Sequence, residues 1–187
     1  GSYFYNADGT PKGVGTVLTN PEYAATLRAI AAGGADALLK GPIANDIIAK
    51  IRSHPTNPGI MEASDFAAYS VKKREPVCGT YRQRWRICGM GMPSSGPATV
   101  LATLGILENY DVASHAPNSV AAVHLISEAY RLAYADRAVY MADPDFVCVP
   151  TAGLVDANYL KSRATAISLT RSMGVPRAGT PSGCGKE

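Results

Sequence analysis

The chain has 187 residues, 47% of them hydrophobic, and its mean hydropathy is close to zero, enough to bury a sizeable core. Eighteen lysines and arginines against 15 acids leave a formal charge of +3, too small to imply a nucleic-acid partner. No run of about 18 apolar residues appears, so a membrane-spanning helix is not expected. The opening GSYFYNADG has neither a basic start nor an apolar stretch of the secretory kind. Gly1-Ser2 reads as an appended dipeptide, and the abrupt start at Tyr3 as a beginning inside a longer protein.

Along the chain, Asn20-Pro21-Glu22 has the form of a helix cap, a proline at the first position and an acid in the first turn. Tyr23, Leu27 and Ile30 then repeat at helical spacing until Gly33-Gly34. A second helix opens at Gly41-Pro42, carries Ile43, Ile47 and Ile51, and stops before Pro55. The two are expected to pack as a pair. Ser64-Asp65 is expected to cap a single turn bearing Phe66 and Tyr69.

The period then changes. Tyr81, Gln83, Trp85 and Ile87 alternate with Arg82, Arg84, Arg86 and Cys88, which predicts a strand with one basic face, paired with Val71 to Glu75. Helices are predicted over 95–109, through Val100, Leu101, Leu104 and Leu107, and over about 118–141, through Val120, Val123, Leu132 and Val139. Alanines line both, which predicts close packing. A last short helix follows Asp156, and residues 172–187 read as a flexible tail rich in Gly, Pro and Ser. The fold class is a helix-rich α+β or layered α/β chain, one partial domain over 1–187 with too few strands to complete a sheet.

Few residues point to chemistry. Cys78, Cys88, Cys148 and Cys184 form no CxxC, and His54, His115 and His124 form no HxxxH, so no metal or other cofactor is expected. Cys78 and Cys88 flank a possible hairpin and could pair across it, but lone thiols are the expectation. His124 reads as a hydrogen-bonded structural histidine; Asp136-Arg137 and Asp143-Pro144-Asp145 read as caps or ion pairs. The basic strand face reads as solvated or internally paired, not as a nucleic-acid surface.

The most suggestive stretch is Pro93-Ser94-Ser95-Gly96, a turn that opens a helix and points hydroxyls and N–H groups at one spot. A serine nucleophile needs a base, and neither a nearby His or Lys nor a G-x-S-x-G elbow accompanies it. Ser94 and Ser95 are therefore expected to cap the helix.

Taken in order, ADGTPKGVGTVLTNPEYAATLRAIAAGGADALLKGPIANDII, SDFAAYSVKKREPVCGTYR, MPSSGPATVLATLGILENYD and HLISEAYRLAYADRAVYMADPDFV make the chain similar to the large subunit of γ-glutamyltranspeptidases. The resemblance covers nearly the whole chain. It departs from the family pattern in having Gly91-Met92-Pro93 for three prolines and Gly96-Pro97 for two glycines.

The resemblance implies a four-layer αββα sandwich of the N-terminal-nucleophile hydrolases. It also implies a precursor that cuts itself, whose new terminal threonine attacks the γ-glutamyl amide of substrates such as glutathione. It places this chain at the C-terminal part of the large subunit, without the arginine that holds the substrate α-carboxylate, and puts the threonine shortly beyond Glu187. No catalytic residue is then expected within the chain, while Ser94, Ser95 and Gly96 would support the active-site wall from a helix N-terminus.

The partners implied are the small subunit and the N-terminal part of the large subunit, with self-association where their contact surfaces lie open. A periplasmic or extracellular compartment follows from family habit. Cephalosporin-type acylases share the implied fold and chemistry, and a noncatalytic helical scaffold is the reading from a different class.

Overall fold

The computed structural model describes residues 2–184 and resolves the chain into two compact units, Gly1–Val71 and Lys72–Glu187. In the first, residues 2–20 form turns around a single bridge between Tyr5 and Pro11. The Asp8 carboxylate accepts from the hydroxyl and the N–H of Thr10, which holds its pKa below the ordinary value.

Helix α1, Pro21–Gly33, starts as its sequence dictates: the Asn20 side chain accepts from the Tyr23 N–H at 2.8 Å. Helix α3, Pro42–Arg52, follows Gly41, whose φ of 75° lies in the left-handed region that glycine enters without penalty. Between them stands α2, Ala35–Leu39, too short for its periodicity to show. The main packing therefore runs from α1 to α2 and from α2 to α3, which corrects the expected direct pairing. Helix α4, Ala63–Ala68, packs on α3; its cap residue is Glu62, two residues before the expected Ser64, with the Glu62 N–H donating to Asp65. Among the described residues of this unit, only Ala44 is buried.

The second unit holds the core. Strands β1, Val77–Tyr81, and β2, Trp85–Gly89, form an antiparallel hairpin. The expected continuous strand from Tyr81 is thus broken by a turn, and Val71–Glu75 is not its partner. Arg82 and Gln83 both take φ of 53°, the left-handed geometry whose twist suits a tight hairpin. The turn is held by what it touches: the Arg82 guanidinium donates to the carbonyls of Leu107, Glu108 and Tyr110, capping the C-terminal end of helix α5, Gly96–Leu107. Alternation over Tyr81 to Ile87 reads as a strand because a two-residue period does not register a turn.

Helix α5 packs chiefly on α6, Val120–Tyr140, and on α8, Ala157–Ala164, with the short α7, Thr151–Leu154, beside them. Ser119 and Asp156 cap α6 and α8 through their side chains. The alanine content does what was expected: Ala98, Ala102, Ala129 and Ala133 are all buried at the α5 and α6 faces, which lets the backbones approach. Leu125, Leu132, Ile106, Leu107, Leu160 and Ile167 fill the rest of the core.

The inward face of α6 is not the valine stripe. Val120, Val123 and Val139 are exposed, while Glu128 and Asp136 share the buried face with Leu125, Ala129 and Leu132. No helix among the described residues is long and apolar enough to cross a membrane. Replacing Ile106, fully buried at the centre of this core, should test its packing. Ile106→Ala is expected to lower unfolding free energy by about 2–5 kcal/mol in urea denaturation.

Candidate functional site

Pro93, Ser94, Ser95 and Gly96 lie between the end of β2 and the first turn of α5. The Met92–Pro93 peptide is cis, and the Ser94 N–H closes a turn onto the Gly91 carbonyl at 3.1 Å. A Cβ on Gly89 would collide with the Pro97 ring, so a residue without a side chain is what lets the strand lie against the helix start.

Ser95 occupies the cap position, but its hydroxyl does not cap. It accepts instead from the Arg137 Nε at 2.8 Å, while its carbonyl receives the N–H and the hydroxyl of Thr99 at 3.0 and 2.7 Å. The reason is geometric: Ser95 has helical φ and ψ of −76° and −17°, not the extended backbone that turns a cap side chain toward the helix N–H groups. The Arg137–Ser95 bond joins the end of α6 to the start of α5, and within α6 the Arg137 guanidinium lies 5.5 Å from the centroid of the Tyr134 ring. A guanidinium stays charged at all working pH values and cannot take a proton from serine. Among the described residues, the side chain bonded to the Ser95 hydroxyl therefore leaves it a poor nucleophile.

The other candidates behave as structural groups. His124 donates through Nε2 to the Ser168 carbonyl at 2.7 Å. Asp143 and Asp145 both face Arg74, with the closer contact at 2.7 Å, and this guanidinium holds the Asp145 carboxyl below its ordinary range. Asp136 pairs not with its neighbour Arg137 but with Arg163, at 3.0 Å in a buried setting. Asp136 also accepts from the Tyr159 hydroxyl at 2.8 Å and the Gly179 N–H at 2.7 Å.

The expectation of lone thiols is corrected. The hairpin register sets Cys78 opposite Cys88, and the two are disulfide-bonded; Cys148 is bonded to Cys184, 36 residues on. The second bridge has no local sequence signal, because the fold and not the spacing brings its ends together. Its Cα atoms stand 6.0 Å apart.

Residues 172–184 have no regular structure, yet their backbone is held along α6. The Met173 N–H donates to Glu128 at 2.8 Å, the Gly174 carbonyl accepts from Arg131, and the Gly179 carbonyl accepts from the Tyr140 hydroxyl at 2.8 Å. Arg163 donates to the Arg177 carbonyl at 2.7 Å. Pro181 is buried, and a Cβ on Gly153 would strike the Ser182 carbonyl oxygen. Residues 185–187 of the expected flexible tail lie outside the described residues.

A cleft of about 340 Å³ opens between β1, α5 and α8, lined among others by Tyr81, Leu101, Glu108, Asn158 and Lys161. Ser94, Ser95 and Gly96 are not among its lining residues. Among the described residues no three His, Cys, Asp or Glu side chains gather as metal ligands.

Comparison with known proteins completes the picture. The sequence profile described as Gamma-glutamyltranspeptidase matches residues 1–183. The acylase ACY 1 proenzyme of Pseudomonas sp. (strain SE83) is 40% identical over 164 residues, 88% of this chain and 29% of the relative. The glutathione hydrolase proenzyme of Escherichia coli is 36% identical over 165 residues, 88% of this chain and 28% of the relative. Among solved structures, Helicobacter pylori γ-glutamyltranspeptidase aligns with a TM-score of 0.72 at 34% identity over 94% of this chain and 50% of that one. A cephalosporin acylase from Bacillus halodurans gives 0.69 at 25% identity, covering 88% and 30%. The chain thus spans less than a third of the curated relatives it matches.

Burial, and next the Asp136 hydrogen bond, push the Tyr159 phenol well above its ordinary value; burial also raises that of Tyr110. Because the folded pKa is the higher one, this stabilisation is complete below about pH 10 and is lost as pH rises through the folded values. Absorbance titration of the ten tyrosines should find two that ionise late, and one in Tyr159→Phe.

Proposed function

Because the chain belongs to the γ-glutamyltranspeptidase family, we propose that it is the C-terminal part of the large subunit of a self-processing γ-glutamyl transferase and hydrolase. In this reading the nucleophile is the terminal threonine of a small subunit that follows the chain. Its hydroxyl oxygen bonds to the γ-carbonyl carbon of a γ-glutamyl amide such as glutathione, and the C–N bond breaks as the amine leaves with a proton. Water or an acceptor amine then cleaves the resulting ester. The terminal amine of the threonine serves as its own base, so no His or Lys is required beside it.

The observation that carries this reading is the state of Ser95. In the one turn of the chain that resembles a nucleophile site, the hydroxyl is occupied by an arginine that cannot act as a base. A chain built this way takes its nucleophile from elsewhere, and the word proenzyme in the names of both curated relatives supports a processed precursor. Ser94, Ser95 and Gly96 then serve as wall and not as chemistry. Both compact units would belong to one partial domain of the layered αββα fold, completed by the N-terminal part of the large subunit and the small subunit. Exposed Val120, Val123 and Val139 support such partners, and in their absence the chain should self-associate.

Two disulfides suit an oxidising compartment, which supports a periplasmic or extracellular location. A second reading, an acylase with the same threonine chemistry, is favoured by the 40% identity to acylase ACY 1.

Intact mass spectrometry of the complete gene product tests the proposal. Two chains are expected, the smaller beginning with threonine, and a single uncut chain would favour a noncatalytic scaffold. Purified residues 1–187 alone should release no chromophore from a γ-glutamyl anilide above a heat-killed control. Release of glutathione's glutamate by the complete enzyme, against release of a cephalosporin side chain, separates the two readings.

A further inference from the structure

The segment from Ser168 to Cys184 is held largely through its backbone, with the Ser172 hydroxyl also bonded to Arg131 and Glu128. His124, Arg131, Tyr140 and Arg163 donate to its carbonyls, and Glu128 and Asp136 accept its N–H groups. The contacts follow in the same order on both partners. Residues 124, 128, 131 and 136 of α6 meet 168, 173, 174 and 179, so the segment runs parallel to the helix and ends at the Cys148–Cys184 bridge.

Two features argue that this arrangement sets position and not merely stability. Glu128 and Asp136 are 2% and 1% exposed, and an apolar side chain in either place would serve the core without the cost of burying a charge. What a carboxylate adds is direction: it accepts from one particular N–H and so fixes the register of the strand beside it. The bridge then closes a 36-residue separation at the far end of the segment.

We propose that residues 168–184 form a strap that fixes where the chain exits this unit and so positions the self-cleavage point downstream of it. Glu128 and Asp136 are its positioning residues, and the Cys148–Cys184 bridge is its anchor. The inference rests on the self-processing reading above.

The test uses the complete precursor, purified uncut and followed by intact mass as it matures, at a temperature far below its melting point. Cys148→Ala combined with Cys184→Ala should slow self-cleavage by about tenfold or more, the scale on which small misplacements of reacting groups act. Glu128→Gln should slow it in the same direction and expose the Met173 amide to hydrogen exchange. In the cysteine variant, kcat and KM of enzyme that has already been cut should match wild type, because the strap acts before the cut. Asp136→Asn is a third variant, and if it fails to fold the cysteine pair still decides. Variants that mature at the wild-type rate overturn the strap while leaving self-processing in place. Equal losses in maturation and in kcat also overturn it, since they would mark a general loss of structure. A wild-type precursor that never cuts itself overturns the processing reading, and the strap's role with it.

Discussion

A buried carboxylate holds the second unit together. Asp136 sits on the inward face of α6 and gathers the Arg163 guanidinium and the Tyr159 hydroxyl from α8, together with the Gly179 N–H from the segment beyond. Two separate stretches of chain are thereby referred to one side chain on a third. Removing a single member of such a group leaves the rest buried without a partner, and breaking a pair of this kind typically costs about 3–5 kcal/mol. The alanine-lined contact between α5 and α6 depends on the same helix, since Ala129, Leu132 and Ala133 are buried on the turns just before Asp136. Helix α6 is therefore both the wall of the core and the rail along which residues 168–184 are laid.

The serine turn depends on α6 in its turn. Arg137, the next residue after Asp136, points the other way and reaches Ser95 at the start of α5. Adjacent residues on one helix thus serve opposite purposes. One orders the C-terminal segment, and the other occupies a hydroxyl that would otherwise look available for chemistry.

Much of this was legible in the sequence where the signal is local. Asn20 and Asp156 each announce a helix start, because a cap is a property of three or four consecutive residues. The alanines of α5 and α6 likewise disclosed close packing. What stayed hidden depends on contacts between distant residues. The hairpin turn at Arg82 is stabilised by carbonyls near residue 108, the Cys148–Cys184 bridge by the fold, and the buried face of α6 by two acids that a hydrophobicity pattern assigns to solvent. The site was legible only as a doubt: the serines lacked a base in the sequence, and the structure supplies the reason, an arginine. Family membership rested on the order of several motifs over the whole chain, none of them decisive alone.

The first unit carries a consequence of another kind. With Ala44 its only buried residue among those described, its helices have caps and short-range contacts but almost no shared interior. Isolated helices of 5 to 13 residues are marginal in water, because nucleation is costly and each added hydrogen bond returns little. Taken alone, this half of the chain lacks the cooperativity that makes unfolding all-or-none, whereas the second half, with its continuous core and two bridges, retains it. Heating this chain would therefore erode helicity gradually at first and then lose the remainder in one sharp step, so its melting curve cannot be summarised by a single midpoint.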